Sequence, residues 1–214
     1  MSHLALLFVG AVLLINGLVF LGRVDARSAV PVNLLTGSLL LLTALLQVAA
    51  LSGTEEDGHL LVFGAAGFAL FGFTYLTVGG NALAGGSGAA LSWYCGWAAC
   101  VAGVLAVINV LGAEDPRMAW LWGAWAVLFL SFFLAGVVPA PGLVAGAGIL
   151  AVLQSITTAT IPALLMAGEV WAEVPVAAVA VTQLLGIAIY AGCAVHAWRQ
   201  MDRPEVQSVV AAGK

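Results

Sequence analysis

Seven apolar runs, each long enough to cross a bilayer, leave this chain little choice of fold. They cover approximately residues 4–22, 30–52, 60–80, 89–111, 118–138, 143–167 and 175–197, and a helix needs about 20 apolar residues to traverse the hydrocarbon layer. No water is present there to satisfy backbone groups, so runs of this length must be helical. The connections are short: "GRVDARS", "GTEEDG", "GNALAGGSG", "GAEDPR", "PAPG" and "GEVWAEVP". Composition agrees. Of 214 residues, 63% are hydrophobic and 7% charged, whereas soluble domains carry about a quarter charged residues. The expected fold class is an all-α polytopic membrane protein with seven transmembrane helices. They form a single domain over residues 1–198, followed by a cytoplasmic polar tail over 199–214. The first run has no basic segment before it and no small-residue cleavage pattern behind it. It therefore reads as a retained helix rather than a signal peptide.

The basic residues give an expected orientation. Arg23 and Arg27 follow the first span, and Arg199, Arg203 and Lys214 follow the seventh, which places five of the six basic residues on one side. Arg117 is the exception. Glu55, Glu56, Asp57, Glu114, Asp115, Glu169 and Glu173 fall on the opposite side. The N-terminus is therefore expected outside and the C-terminus in the cytoplasm. The acidic rim reads either as solvated loop ends or as a weak attractor of cations. A net charge of −4 implies no nucleic-acid partner.

Ionised side chains inside a span are costly and usually mark proton relays or ion paths. This chain has none at mid-span. Its only lysine is Lys214, which excludes a retinal Schiff base within a helix, and no buried carboxylate suggests proton coupling. Ser38, Ser92, Ser131 and Ser155 lie in spans without a central His or Asp to activate them, so no nucleophilic enzyme is indicated. The glycines of "GGNALAGGSG" lack the lysine of a phosphate-binding loop and read as an interhelical connection. Cys95, Cys100 and Cys193 have neither disulfide nor metal-ligand spacing and read as small core residues. No metal and no cofactor is expected.

Neutral polar groups and aromatic rings remain, and helical periodicity sorts them into faces. Met118, Trp122, Trp125 and Phe129 form one stripe of the fifth span. Phe71 and Tyr75 are neighbours in the third, with Thr74 beside them. Leu6, Val9 and Leu13 line one face of the first span, which Asn16 completes. Helix packing, lipid contact or an interfacial aromatic belt would produce similar stripes. A ladder reaching from the interface to the midplane exceeds what a belt requires. Gly64, Gly67, Gly72, Gly103, Gly146 and Gly148 are expected to permit close helix approach. In the sixth span, Thr157, Thr158 and Thr160 precede Pro162, which is expected to kink the helix. Gln154 carries an amide that needs a partner or a water in hydrocarbon. An inventory of this kind suits a neutral polar solute: an ion would lose its hydration without replacement, while a small amide loses less.

"LLFVGAVLLINGLVFLGRVDARS", "FGFTYL", "SWY", "WLWGAWAVLF" and "TIPALL", in this order across residues 4 to 168, together resemble the AmiS/UreI family of proton-gated urea channels and short-chain amide transporters. The resemblance implies a six-helix hairpin bundle, here with a seventh helix added, a pore within each protomer and a homohexameric ring. It implies a lining of Leu6, Val9, Leu13, Phe71, Tyr75, Trp122, Trp125 and Phe129, with Gln154 as a further candidate and Asn16, Thr74 and Met118 as secondary ones. The chain also departs from the urea channels. Met118 and Phe129 stand where these have tryptophan, and Gln154 stands where they have glutamate. The loop "GTEEDGH" with His59 is short, and a seventh span is present. These differences point to the amide-transporter branch and away from acid gating. The expected function is a passive channel for small neutral amides such as urea, formamide and acetamide in the bacterial cytoplasmic membrane. The alternative is a proton-coupled secondary transporter of the same solutes.

Overall fold

The computed structural model describes residues 2–50, 58–112 and 115–201. The expected acidic loop residues Glu55, Glu56, Asp57 and Glu114, and the tail from residue 202 onward, lie outside them. Among the described residues the chain is entirely helical: α1 (Ser2–Phe20), α2 (Val30–Ala49), α3 (Gly58–Ala84), α4 (Ala89–Leu111), α5 (Pro116–Val137), α6 (Pro141–Gln154), a π-helical segment (Ser155–Thr160), α7 (Ile161–Ala167), a single 3-10 turn (Trp171–Glu173) and α8 (Val176–Met201). Segments α6, π and α7 form one continuous span, giving, among the described residues, seven helices long and apolar enough to cross a membrane.

The helix starts follow from local chemistry. Proline opens α2, α5 and α6, where its missing N–H is no loss and its fixed φ suits the first turn; Pro162 in the first turn of α7 instead follows directly on the π segment. Asp115 caps α5 by accepting from the Met118 N–H at 3.0 Å. The third span runs four residues further than expected, to Ala84. "GGNALAGGSG" is thus largely helix, and the connection shrinks to the residues around Gly85 and Gly88, both in the left-handed region (φ 65° and 74°) that glycine tolerates.

The first six spans pack in chain order into a closed ring: α1 on α2, α2 on α3, α3 on α4, α4 on α5, α5 on α6, and the sixth span back on α1. The α2–α3 and α4–α5 hairpins are the most extensive of these pairs. Helix α8 stands outside the ring against α6 and α5. Small residues set the spacing. A methyl group at Gly17 would stand 3.0 Å from the Gly148 carbonyl, and one at Gly72 would stand 3.1 Å from that of Gly37. Gly64 and Gly103 meet nothing within 4 Å, so their expected role in close approach is corrected.

Asn16 and Asn33 form a reciprocal amide pair between α1 and α2, at 2.9 and 2.8 Å, and Asn33 also donates to the Ala29 carbonyl at 2.9 Å. Both are buried, and such a pair satisfies each amide inside an apolar environment. Helices α2, α4 and α8 turn Leu35, Leu45, Trp93, Trp97, Leu111 and Leu185 outward, the pattern expected of lipid-facing surfaces. Cys95 is buried, but Cys100 is exposed and Cys193 only half-buried. The expectation that all three are core residues therefore holds for Cys95 alone.

Candidate functional site

Two cavities of about 230 Å³ each lie along the axis of the helical ring. The first opens near the start of α1 and is lined by His3, Leu6, Val9, Gly67, Phe71, Asn109, Met118, Trp122, Trp125 and Met166, among others. The second lies toward the other end, against Leu13, Asn16, Thr74, Tyr75, Ser92, Cys95 and Phe132. No residue lines both. Val9 and Leu13 on α1, and Phe71 and Tyr75 on α3, are each one helical turn apart yet face different cavities. The septum between the cavities is therefore about one turn thick, ~5.4 Å.

Aromatic rings fill that septum. The Phe71 ring is its hub, with centroids 5.2 Å from Trp125 in an edge-to-face contact, 5.1 Å from Phe129 and 6.1 Å from both Trp122 and Tyr75. Trp122 in turn meets Trp125 edge-on at 4.8 Å. The periodicity of α3 and α5 anticipated which rings share a face. A flat slot between parallel rings is not what forms, because the interplanar angles between Phe71 and the α5 rings range from 36° to 78°. Edge-to-face contact suits the ring quadrupoles better than a face-to-face sandwich. Phe129, 1% exposed, belongs to the septum and lines neither cavity.

The polar groups divide sharply. Trp125 Nε1–H donates to the Thr158 hydroxyl at 2.9 Å, and that hydroxyl donates to the Gln154 carbonyl at 2.7 Å. Thr74 back-bonds to the Leu70 carbonyl at 2.7 Å, which also receives the Tyr94 hydroxyl at 2.8 Å. Thr157 and Thr160 likewise bond backbone carbonyls of their own helix. The Tyr75 hydroxyl is different: it is buried against the second cavity with no protein partner. Gln154 corrects an expectation. Its amide donates to the Ala124 carbonyl at 3.0 Å, and it lines neither cavity.

Sequence reasoning overlooked Asn33, which fixes Asn16; Gly67, expected to permit close approach, does so beneath the Trp122 ring, and its place on the first cavity was not foreseen. Asn33 could have been noticed as an amide within an apolar run. Nothing in the local pattern distinguishes Gly67 from the other helical glycines. Among the described residues no group of three or more His, Cys, Asp or Glu could hold a metal, and His3 is the only charged or histidine side chain on either cavity.

A helical ring enclosing two mostly apolar cavities across an aromatic septum is the architecture of a membrane transport protein. Residues 1–170 match the AmiS/UreI family of transporters. The chain belongs to that family. It is 37% identical over 166 residues to a putative transporter protein AmiS2 of Rhodococcus erythropolis, covering 78% of this chain and 79% of the relative. It is 34% identical over 188 residues to a putative amidate substrates transporter of Mycolicibacterium smegmatis, covering 88% and 86%. The crystal structure of the Helicobacter pylori urea channel superposes with a TM-score of 0.68 at 31% identity, over 80% of this chain and 99% of that one. A closed-state structure of the same channel gives 0.69 at 32% identity, over 80% and 100%. All of α8 lies beyond the family match.

Proposed function

We propose that the protein is a passive channel for small neutral amides such as urea, formamide and acetamide, and not an enzyme. Each protomer carries its own pore, and six protomers form a ring in the bacterial cytoplasmic membrane, with the N-terminus outside and the C-terminus in the cytoplasm. The observation that carries this reading is the one-turn septum between two cavities, built from Val9, Leu13, Phe71, Tyr75, Trp125 and Phe129 and free of ionised groups. An ion entering it would shed water with nothing to replace it, at a cost of many kcal/mol, whereas an uncompensated neutral amide loses roughly 2–7 kcal/mol and recovers part by hydrogen bonding. The unpartnered Tyr75 hydroxyl supplies one such bond, with Asn16 and Thr74 on the same cavity. Because the septum rings are in contact, passage requires the Phe71 ring to turn aside as the solute crosses.

The relatives support the solute class. Helicobacter pylori proteins 33% identical over 195 residues, covering 80% of this chain and all of theirs, are acid-activated urea channels. The reading departs from them in gating. Among the described residues no Asp, Glu, Lys, Arg or His lies in the septum, and the single histidine on either cavity, His3, lines the first one near the start of α1. Stopped-flow light scattering on proteoliposomes tests this reading with urea, acetamide and glycerol at about pH 5 and pH 7.5, the range over which histidine titrates. Fast amide entry, with similar rates at both pH values and no need of a proton gradient, is expected. Accumulation driven by a pH gradient would instead establish the proton-coupled transporter.

Tyr75→Phe isolates the hydroxyl. An unpartnered buried hydroxyl contributes nothing to folding, so its removal is expected to leave the unfolding temperature unchanged or raised. Losing one solute bond is expected to slow amide entry by about fivefold. Unaltered amide flux in this variant would remove Tyr75 from the path.

A further inference from the structure

The π-helical segment Ser155–Thr160 sits where the sixth span meets both the septum and α8, and it creates a backbone problem that its own helix cannot solve. In the widened register the Ile161 N–H bonds the Ile156 carbonyl. The next donor in that register, facing the Thr157 carbonyl, would belong to Pro162, which has no N–H. The donor that the structure brings there comes from another helix: Gln183 of α8, 3% exposed, places Nε2 3.4 Å from the Thr157 carbonyl. The adjacent residue, Thr158, receives the Trp125 indole at 2.9 Å. The Trp125 ring meets Phe71 at the centre of the septum. On its other side the segment lies against α1, where the Ser155 carbonyl stands 3.0 Å from the position of a methyl group at Gly10, beside Val9 of the first cavity.

We infer that Gln183 is a positioning residue for the septum: it covers the carbonyl that Pro162 leaves without a backbone donor, holds the π segment in its widened register, and through Thr158 sets the orientation of the Trp125 ring. The inference rests on the reading of that septum as the solute path. It gives the seventh helix a task in selection rather than in bulk packing alone. A carbonyl without a partner in an apolar surrounding carries a desolvation cost, so loss of the Gln183 donor releases the segment to seek another register. Trp125 moves with it.

The dependence on Pro162 provides the test. Pro162→Ala restores a backbone N–H at that position. The Thr157 carbonyl is then covered by this new donor in the widened register, or by the Ile161 N–H in the ordinary one. Gln183→Met keeps the length and apolar stem of the side chain and removes the donor. Urea, acetamide and glycerol permeabilities would be measured in proteoliposomes for wild type, Gln183→Met, Pro162→Ala and the double variant, together with the unfolding temperature of each in detergent. In the proline-containing protein Gln183→Met is expected to shift the acetamide-to-urea ratio by about fivefold and to lower the unfolding temperature. In the Pro162→Ala background both changes are expected to vanish. Equal effects in the two backgrounds, or no effect of Gln183→Met in the first, would overturn the proposal. Should wild type conduct nothing, the channel reading fails separately, and the four unfolding temperatures still decide the proposal: non-additive values uphold it and additive ones refute it.

Discussion

Trp125→Ala is expected to let glycerol through. The indole closes one side of the septum by meeting Phe71 at 5.2 Å and Trp122 at 4.8 Å, and the cavities above and below it are each already about 230 Å³. Removing the ring merges them around Phe71. A buried tryptophan cut to alanine typically costs about 3–5 kcal/mol, with the spread set by how far the neighbours collapse. Here collapse is restrained, because Phe71 and Phe129 are held by the α3 and α5 backbones. Thr158 loses a donor but keeps its own bond to the Gln154 carbonyl, so no buried N–H or O–H is stranded. The glycerol-to-urea permeability ratio per folded protein is expected to rise about tenfold, the equivalent of ~1.4 kcal/mol of barrier. Trp125→Phe, which keeps one ring but drops the indole hydrogen bond and part of its volume, should shift the ratio less. An unchanged ratio in folded Trp125→Ala protein would remove the septum as the selective element.

The opposite change is expected at Gly67. A methyl group there would stand 2.5 Å from Cζ2 and 2.6 Å from Cη2 of Trp122, closer than carbon atoms tolerate, so the ring must move. Its edge-on contact with Trp125 resists motion toward the septum, and the free space available is the first cavity, which Gly67 and Trp122 both line. Gly67→Ala should therefore cost about 1–3 kcal/mol as an overpacking substitution. It should slow urea entry about tenfold, by narrowing the approach rather than the septum. Adding Trp122→Phe shortens the displaced ring and should restore most of the flux. Flux at the wild-type level in Gly67→Ala, or a double variant as slow as the single one, would show that the first cavity is not on the path. Flux measured per folded protein separates these outcomes from loss of expression.

Much of this architecture can be read without coordinates, because the bilayer reduces the choices. A backbone without water must satisfy itself within each span, so seven apolar runs become seven helices, and the lack of ionised groups at mid-span already points away from proton relays and Schiff-base chemistry. Local spacing also shows that Phe71 and Tyr75, or Trp122, Trp125 and Phe129, share a face. It cannot show how far each helix is rotated about its axis against its neighbours, and the remaining questions depend on that rotation. Gln154 looked like a lining amide, but rotation of the sixth span turns it to the Ala124 carbonyl. Asn16 looked like the polar end of an α1 stripe, but its amide is held by Asn33 from α2, 17 residues away. Gly67 and Gly103 are alike in sequence; only the first lies beneath an indole. The π segment needed both the local break at Pro162 and a donor arriving on α8. The helices and the chemistry on their faces follow from local hydrophobicity and backbone satisfaction, and so are legible residue by residue. Which faces meet, which amides pair and which hydroxyls stay unpartnered depend on contacts between residues far apart in the chain, which local pattern does not encode.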